Sequence, residues 1–233
     1  MDNNFQRVNE EMVLKAGVVD SRAKFITRTY NHLFGSIIAF TLLEVIFFQT
    51  GVARIIAQAL LSVNWLFVLG GFVVVSWMAS RTAHTSRSLQ SQYMALGIFI
   101  LAEAIIFVPL LFIANYYAPG AISSAALVTL VGFSGLTFIA FWTRKDFSFL
   151  GGLLKWGGVV ALLLIGGGVF WGFNLGTYFS VGMVALAGAA ILYDTSKILH
   201  SFPEDRYVGA ALELFASVAL MFWYVLRIFT SRK

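Results

Sequence analysis

Cysteine is absent from the 233 residues. That excludes disulfides, thiolate nucleophiles and cysteine-held zinc or iron–sulfur centres. Proline occurs three times, at Pro109, Pro119 and Pro203, so little interrupts a long helix. Charged residues make up 12% of the chain, roughly half of the ~25% usual in soluble domains. The apolar fraction is 59%, gathered in uncharged runs long enough to cross a bilayer. The three histidines, His32, His84 and His200, have no spacing that suggests a metal site. His84 and His200 read as solvated loop residues. The net charge of +5 does not imply nucleic acid. The basic residues lie in loops and at the termini, where membrane topology accounts for them.

The pattern is that of an all-α membrane protein with seven transmembrane helices. Residues 1–29 read as a polar N-terminal tail or surface helix, residues 30–229 as the membrane domain, and residues 230–233 as a short C-terminal tail. The stretch Met1 to Arg28 is mixed in charge and lacks the short apolar core of a signal peptide. The expected spans are Tyr30–Gln49, Ser62–Ser80, Tyr93–Ala114 (interrupted by Pro109), Ala121–Trp142, Gly152–Phe173, Gly176–Leu199 and Tyr207–Phe229. A short amphipathic stretch, Val52–Leu61, precedes the second. Gly168, Gly172 and Gly176, four apart, read as a helix stripe for close packing.

Basic residues set the orientation. One side collects Arg7, Lys15, Arg22, Lys24, Arg28, Arg81, Arg87, Arg144, Lys145, Lys155, Lys197 and Arg206. The other has Arg54, Arg227, Arg232 and Lys233. The positive-inside rule then predicts a cytoplasmic N-terminus and an outside C-terminus, in a bacterial-type cytoplasmic membrane.

Four acids fall inside the expected spans: Glu44, Glu103, Asp194 and Glu213. An ionised side chain near a span's centre costs roughly 2.5–3.5 kcal/mol on insertion scales. No Lys or Arg falls deep in a span, so the acids lack an obvious buried cation. Asp194 and Glu213 flank Pro203 at similar distances. At about 1.5 Å per residue both should lie level, about two to three turns from one face. Facing each other, they would titrate as a unit. Their oxygens also suit a hard cation such as Ca²⁺, with protons competing for the same atoms. Arg81, at the end of the second span, is a candidate latch on Asp194. Glu103 near mid-bilayer and Glu44 beyond it extend the acids into a staircase. Two readings stay open for them: a cation or proton path, or protonated carboxyls bonded to neighbouring helices.

Gly132-Phe133-Ser134-Gly135 has the form seen around the serine of rhomboid intramembrane proteases. Such a nucleophile needs a base within reach, and no histidine falls in a later span. Ser134 therefore reads as a helix-packing residue, and no enzymatic activity is expected.

Three segments resemble the Bax inhibitor-1 family. Thr143-Arg144-Lys145-Asp146-Phe147-Ser148-Phe149-Leu150-Gly151-Gly152 is similar to its loop between spans four and five. Ile191-Leu192-Tyr193-Asp194-Thr195 is similar to its sixth span. Ala211-Leu212-Glu213-Leu214-Phe215 with Leu226-Arg227-Ile228 looks like its seventh. The resemblance covers roughly residues 25 to 229 and is loose from about 50 to 120. It implies seven helices with the last one central, wrapped by the other six. It also implies a pH-sensitive Ca²⁺ leak gated by a carboxylate pair from spans six and seven. Asp194 matches the first acid. Ser217 stands where the family has the second, and Leu220 where it has an asparagine. Glu213, one turn before Ser217 on the same face, either rebuilds the pair or leaves it lost. Two functions follow as expectations. One is a proton-modulated cation leak whose path includes Ser217. The other is a stress-response or quality-control protein that modulates a membrane protease, or another membrane partner, through its N-terminal tail.

Overall fold

A computed structural model describes residues 2–86 and 88–231, with side-chain surroundings from Val19 onward. The side chains of Arg7 and Lys15, together with Met1, Arg87, Arg232 and Lys233, all invoked above, lie outside the described residues. The helices are α1 (Asp2–Gln49), α2 (Val52–Leu61), α3 (Trp65–Thr85), α4 (Leu89–Tyr117), α5 (Ala121–Thr143), α6 (Leu150–Trp171), α7 (Gly176–His200) and α8 (Tyr207–Ser231). A 3-10 turn at Glu204–Arg206 joins α7 to α8. No strand occurs among the described residues. Seven of the helices are long and apolar enough to cross a membrane, and α2 is the short exception.

Three local expectations change. The stretch before Tyr30 and the first span are one unbroken helix. Polar residues are absorbed within it: the Thr29 hydroxyl donates to the Phe25 carbonyl and Ser36 to that of His32. Pro109 does not interrupt its span, because α4 runs through it to Tyr117. The glycine stripe is not a helix face. Helix α6 ends at Trp171, and Gly172 and Gly176 have φ of 71° and 64°, a left-handed backbone that serves the turn into α7.

The most enclosed span is α8, followed by α4. Helix α8 packs against α1, α3, α4, α5 and α7, while α6 leans mainly on α7. Small residues let α8 approach its neighbours closely. A Cβ on Gly209 would stand 2.8 Å from the Ala83 carbonyl oxygen of α3. That contact brings the residue after Ala83, His84, up to the α7–α8 hairpin.

Candidate functional site

The hairpin's register decides who meets whom. Ser217 on α8 donates to Asp194 Oδ2 on α7 at 2.6 Å, and both residues are buried. One turn nearer the loop, Lys197 Nζ donates to Glu213 Oε1 and Oε2 at 3.1 and 3.0 Å. Asp194 thus lies opposite Ser217 and Lys197 opposite Glu213, so the hairpin folds near Asp205 rather than at Pro203. The 3-10 turn supplies the displacement. Among the described residues no hydrogen bond joins the two carboxyls, although both line one cavity. Glu213 has found a cation instead. Lys197 lies three residues after Asp194 on the same face of α7, and its flexible stem turns toward α8.

The third member is His84. It is half-buried in the last turn of α3, not in a loop, with Nε2 2.6 Å from Glu213 Oε1. A protonated ring makes this contact an ion pair. Nδ1 lies 2.6 Å from the Ser80 carbonyl oxygen. Oxygens facing both ring nitrogens suit a doubly protonated, positively charged ring. Rings complete the enclosure: Lys197 Nζ is 5.2 Å from the centre of Phe202 and 5.4 Å from that of Tyr193. Arg81 plays no part in this clamp. It is exposed, with its guanidinium 5.2 Å from the centre of the Trp77 ring on its own helix. The anticipated latch is replaced by His84 and Lys197, acting on Glu213 rather than on Asp194.

Polar side chains seal the loop end. The Arg22 guanidinium donates to the carbonyls of Lys197, Leu199 and Phe202, around the end of α7. Arg206 donates to the His84 carbonyl, and Gln92 to those of Ser86 and Asp205. The α5–α6 loop is tied in as well. The Phe147 amide donates to Ser196 Oγ at 2.9 Å, and the Ser148 amide to Asp146 Oδ1 at 2.8 Å. That backbone bond holds the Asp146 carboxyl below the usual carboxylate range. Gly151 leaves room for the Tyr193 ring, which a Cβ would meet at 3.1 Å.

Behind the clamp lies a cavity of about 1000 Å³, mostly apolar in its walls. Glu103, Asp194, Glu213 and Ser217 all line it, and it extends to Trp65, Asn174 and Arg227 at the opposite end of the bundle. Glu44 does not belong to it. That carboxyl lines a separate cavity of about 450 Å³. Phe107 borders both spaces, packed against Phe40, Phe222 and Trp223. This aromatic partition breaks the staircase above Glu103. Among the described residues no three His, Asp or Glu side chains gather closely enough to hold a metal. Both Glu213 oxygens are taken by Lys197 and His84, so a Ca²⁺ ion would have to displace them to use that carboxylate.

Ser134 is exposed on α5. The histidines are engaged elsewhere: His32 with Tyr93 at 2.7 Å, His200 with the Ser196 carbonyl at 2.9 Å, and His84 in the clamp. Sequence reasoning read His84 as a solvated loop residue and did not connect it with Glu213. It read Lys197 only as a topology marker, although the spacing from Asp194 carried a usable signal.

Known proteins resemble this chain in part. The uncharacterized protein PA2604 of Pseudomonas aeruginosa is 37% identical over 109 residues, 46% of this chain and 49% of that protein. The modulator of FtsH protease YccA of Escherichia coli is 38% identical over 93 residues, 39% of this chain and 42% of that protein. In another strain it is named an inner membrane protein. Protein LIFEGUARD 4 of Arabidopsis thaliana is 32% identical over 145 residues, 59% of this chain and 56% of the relative. The chain thus spans about half the length of the relatives it matches. The family model described as inhibitor of apoptosis-promoting Bax1 matches residues 22–233, nearly the whole of the seven-helix bundle and its acid-lined interior. The chain belongs to the Bax inhibitor-1 family.

Proposed function

We propose that the bundle is a proton-modulated cation leak, with Ca²⁺ as cargo, in a bacterial cytoplasmic membrane. Its N-terminus would be inside and its C-terminus outside. One observation carries this: a cavity of about 1000 Å³, lined by Glu103, Asp194 and Glu213, ends at a clamp in which Lys197 and His84 hold Glu213. Cations entering past Asn174 would meet Glu103 first, then Asp194. Arg227 at that mouth repels them, which suits slow leakage rather than rapid conduction. Passage out requires Glu213 to exchange its lysine and histidine for the cation. A hard divalent ion competes well for carboxylate oxygens. A proton on Glu213 dissolves its ion pair with Lys197, and loss of the proton from His84 removes the other positive charge. Either event loosens the clamp. No enzymatic reaction is assigned to the chain. Purified protein in liposomes should pass Ca²⁺ at a rate that varies with pH, and Asp194→Asn should change that dependence. Absence of flux at every pH would end the proposal.

The YccA match favours a second reading, in which the chain modulates a membrane protease. The polar N-terminal tail is the candidate contact. Deleting residues 2–18 should abolish co-purification of the protease while sparing flux. Retained co-purification would exclude that contact.

A further inference from the structure

The cavity around Glu44 has no part in the leak pathway. It lies between α1 and α5, over a floor made by α4 and α8. Its lining includes the rings of Phe40, Phe48, Phe107, Phe215 and Phe222. Glu44, 7% exposed, is the sole titratable side chain among its lining residues, and both of its carboxyl oxygens are shielded without a hydrogen-bond partner. Across the space on α5, the buried Thr129 hydroxyl is also without a partner. No Lys, Arg or His lines the cavity. A carboxyl in such surroundings stays neutral or awaits a positive charge.

The surroundings choose between kinds of cation. Ca²⁺ needs about six to eight oxygen ligands. Besides Glu44, the polar side chains lining this cavity are Thr41, Asn115 and Thr129. An inorganic ion would have to bring its water into a space walled by phenyl rings. An organic cation brings its own apolar shell, and ring faces attract positive charge. The volume of about 450 Å³ falls within the roughly 300–1,000 Å³ range of small-molecule sites. Access is from lipid: Val45 and Leu130, on opposite walls, line the cavity and are also exposed on the outside of the bundle.

We infer that this cavity binds a lipophilic organic monocation, an aromatic ammonium or phosphonium, with Glu44 as its counter-charge and the phenylalanine rings as its walls. Neither the leak proposal nor its failure bears on this site, because Phe107 separates the two cavities.

The test is equilibrium dialysis of the full purified chain in detergent against tetraphenylphosphonium at neutral pH. The wild type should show one saturable site. Glu44→Gln, which keeps shape and removes charge, should weaken binding by at least about tenfold, the loss of about 1.4 kcal/mol. Glu44→Asp, which keeps the charge, should retain most of it. Ala126→Phe should fill the cavity and abolish binding with Glu44 in place. The inference is overturned if the wild type shows no saturable binding or if Glu44→Gln binds as tightly as the wild type. Loss of the site on Glu103→Gln, with Glu44→Gln unaffected, would equally overturn it.

Discussion

Lys197 Nζ lies 3.1 and 3.0 Å from the two carboxylate oxygens of Glu213, a bidentate contact between the last two spans. Asp194, one turn away on the same helix as Lys197, is bonded instead to Ser217. The two interior acids of the hairpin are thus held in different ways, one by charge and one by a hydroxyl.

Lys197→Met should destabilise the protein, because it leaves Glu213 with His84 alone. The side chains of the pair are 26% and 19% exposed. The cost falls between that of a surface pair and a buried one, about 1–3 kcal/mol. Thermal unfolding in detergent measures it. The double variant Lys197→Met/Glu213→Gln should recover most of the loss, since no charge is then stranded. A double variant as unstable as the two single changes added together would contradict the pairing.

Ser217→Ala should cost about 1–3 kcal/mol by leaving the buried Asp194 oxygen without its donor. Ser217→Asp should have another consequence. Two carboxyls at hydrogen-bond distance share a proton. Their variant should therefore show a leak more steeply dependent on pH than that of the wild type. Flux with an unchanged pH profile would mean that the Asp194–Ser217 contact lies off the path.

Gly209→Ala places a methyl group 2.8 Å from the Ala83 carbonyl oxygen. Backbone must move, at about 1–3 kcal/mol, and α3 carries His84 away from Glu213 as it does so. Lower thermal stability together with a faster leak is the expected outcome, and a slower leak would contradict the role given to His84.

Much of the bundle was legible before any coordinates, for a plain reason. Strongly apolar runs near twenty residues long, with few charges, have few alternatives in lipid, and all seven spans appear where those runs lie. The loop around Asp146 was legible as a pattern, and its bonds to Ser196 and within itself give the pattern a cause. Register was not legible. Counting outward from Pro203 placed Asp194 and Glu213 level, but the turn at Glu204–Arg206 moved the fold of the hairpin and brought Ser217 opposite Asp194. Nor could spacing along one chain reveal that His84, on a different helix, would reach Glu213. The staircase failed at Glu44 for a related reason: depth can be counted, but azimuth around the bundle cannot. Glu44 lies on the far side of the Phe107 ring from Glu103.

Asp146 carries a pH signature outside the spans. Its carboxyl is held low by the Ser148 amide, so its stabilising effect is complete above the ordinary aspartate value of about 3.9 and is lost as pH falls through the lower folded value. Asp146→Ala should therefore lower thermal stability slightly at neutral pH, and the difference from wild type should vanish in strong acid. A difference that persists there would assign the loss to something other than this carboxylate.

The leak account is tested most directly by Ca²⁺ entry into liposomes containing wild type, Asp194→Asn or Lys197→Met, followed across a pH series with a trapped indicator. The account predicts a flux that changes with pH in the wild type, a faster flux in Lys197→Met where the clamp is broken, and an altered pH profile in Asp194→Asn. Ca²⁺ entry indistinguishable from that of empty liposomes in all three proteins, at every pH, would contradict it.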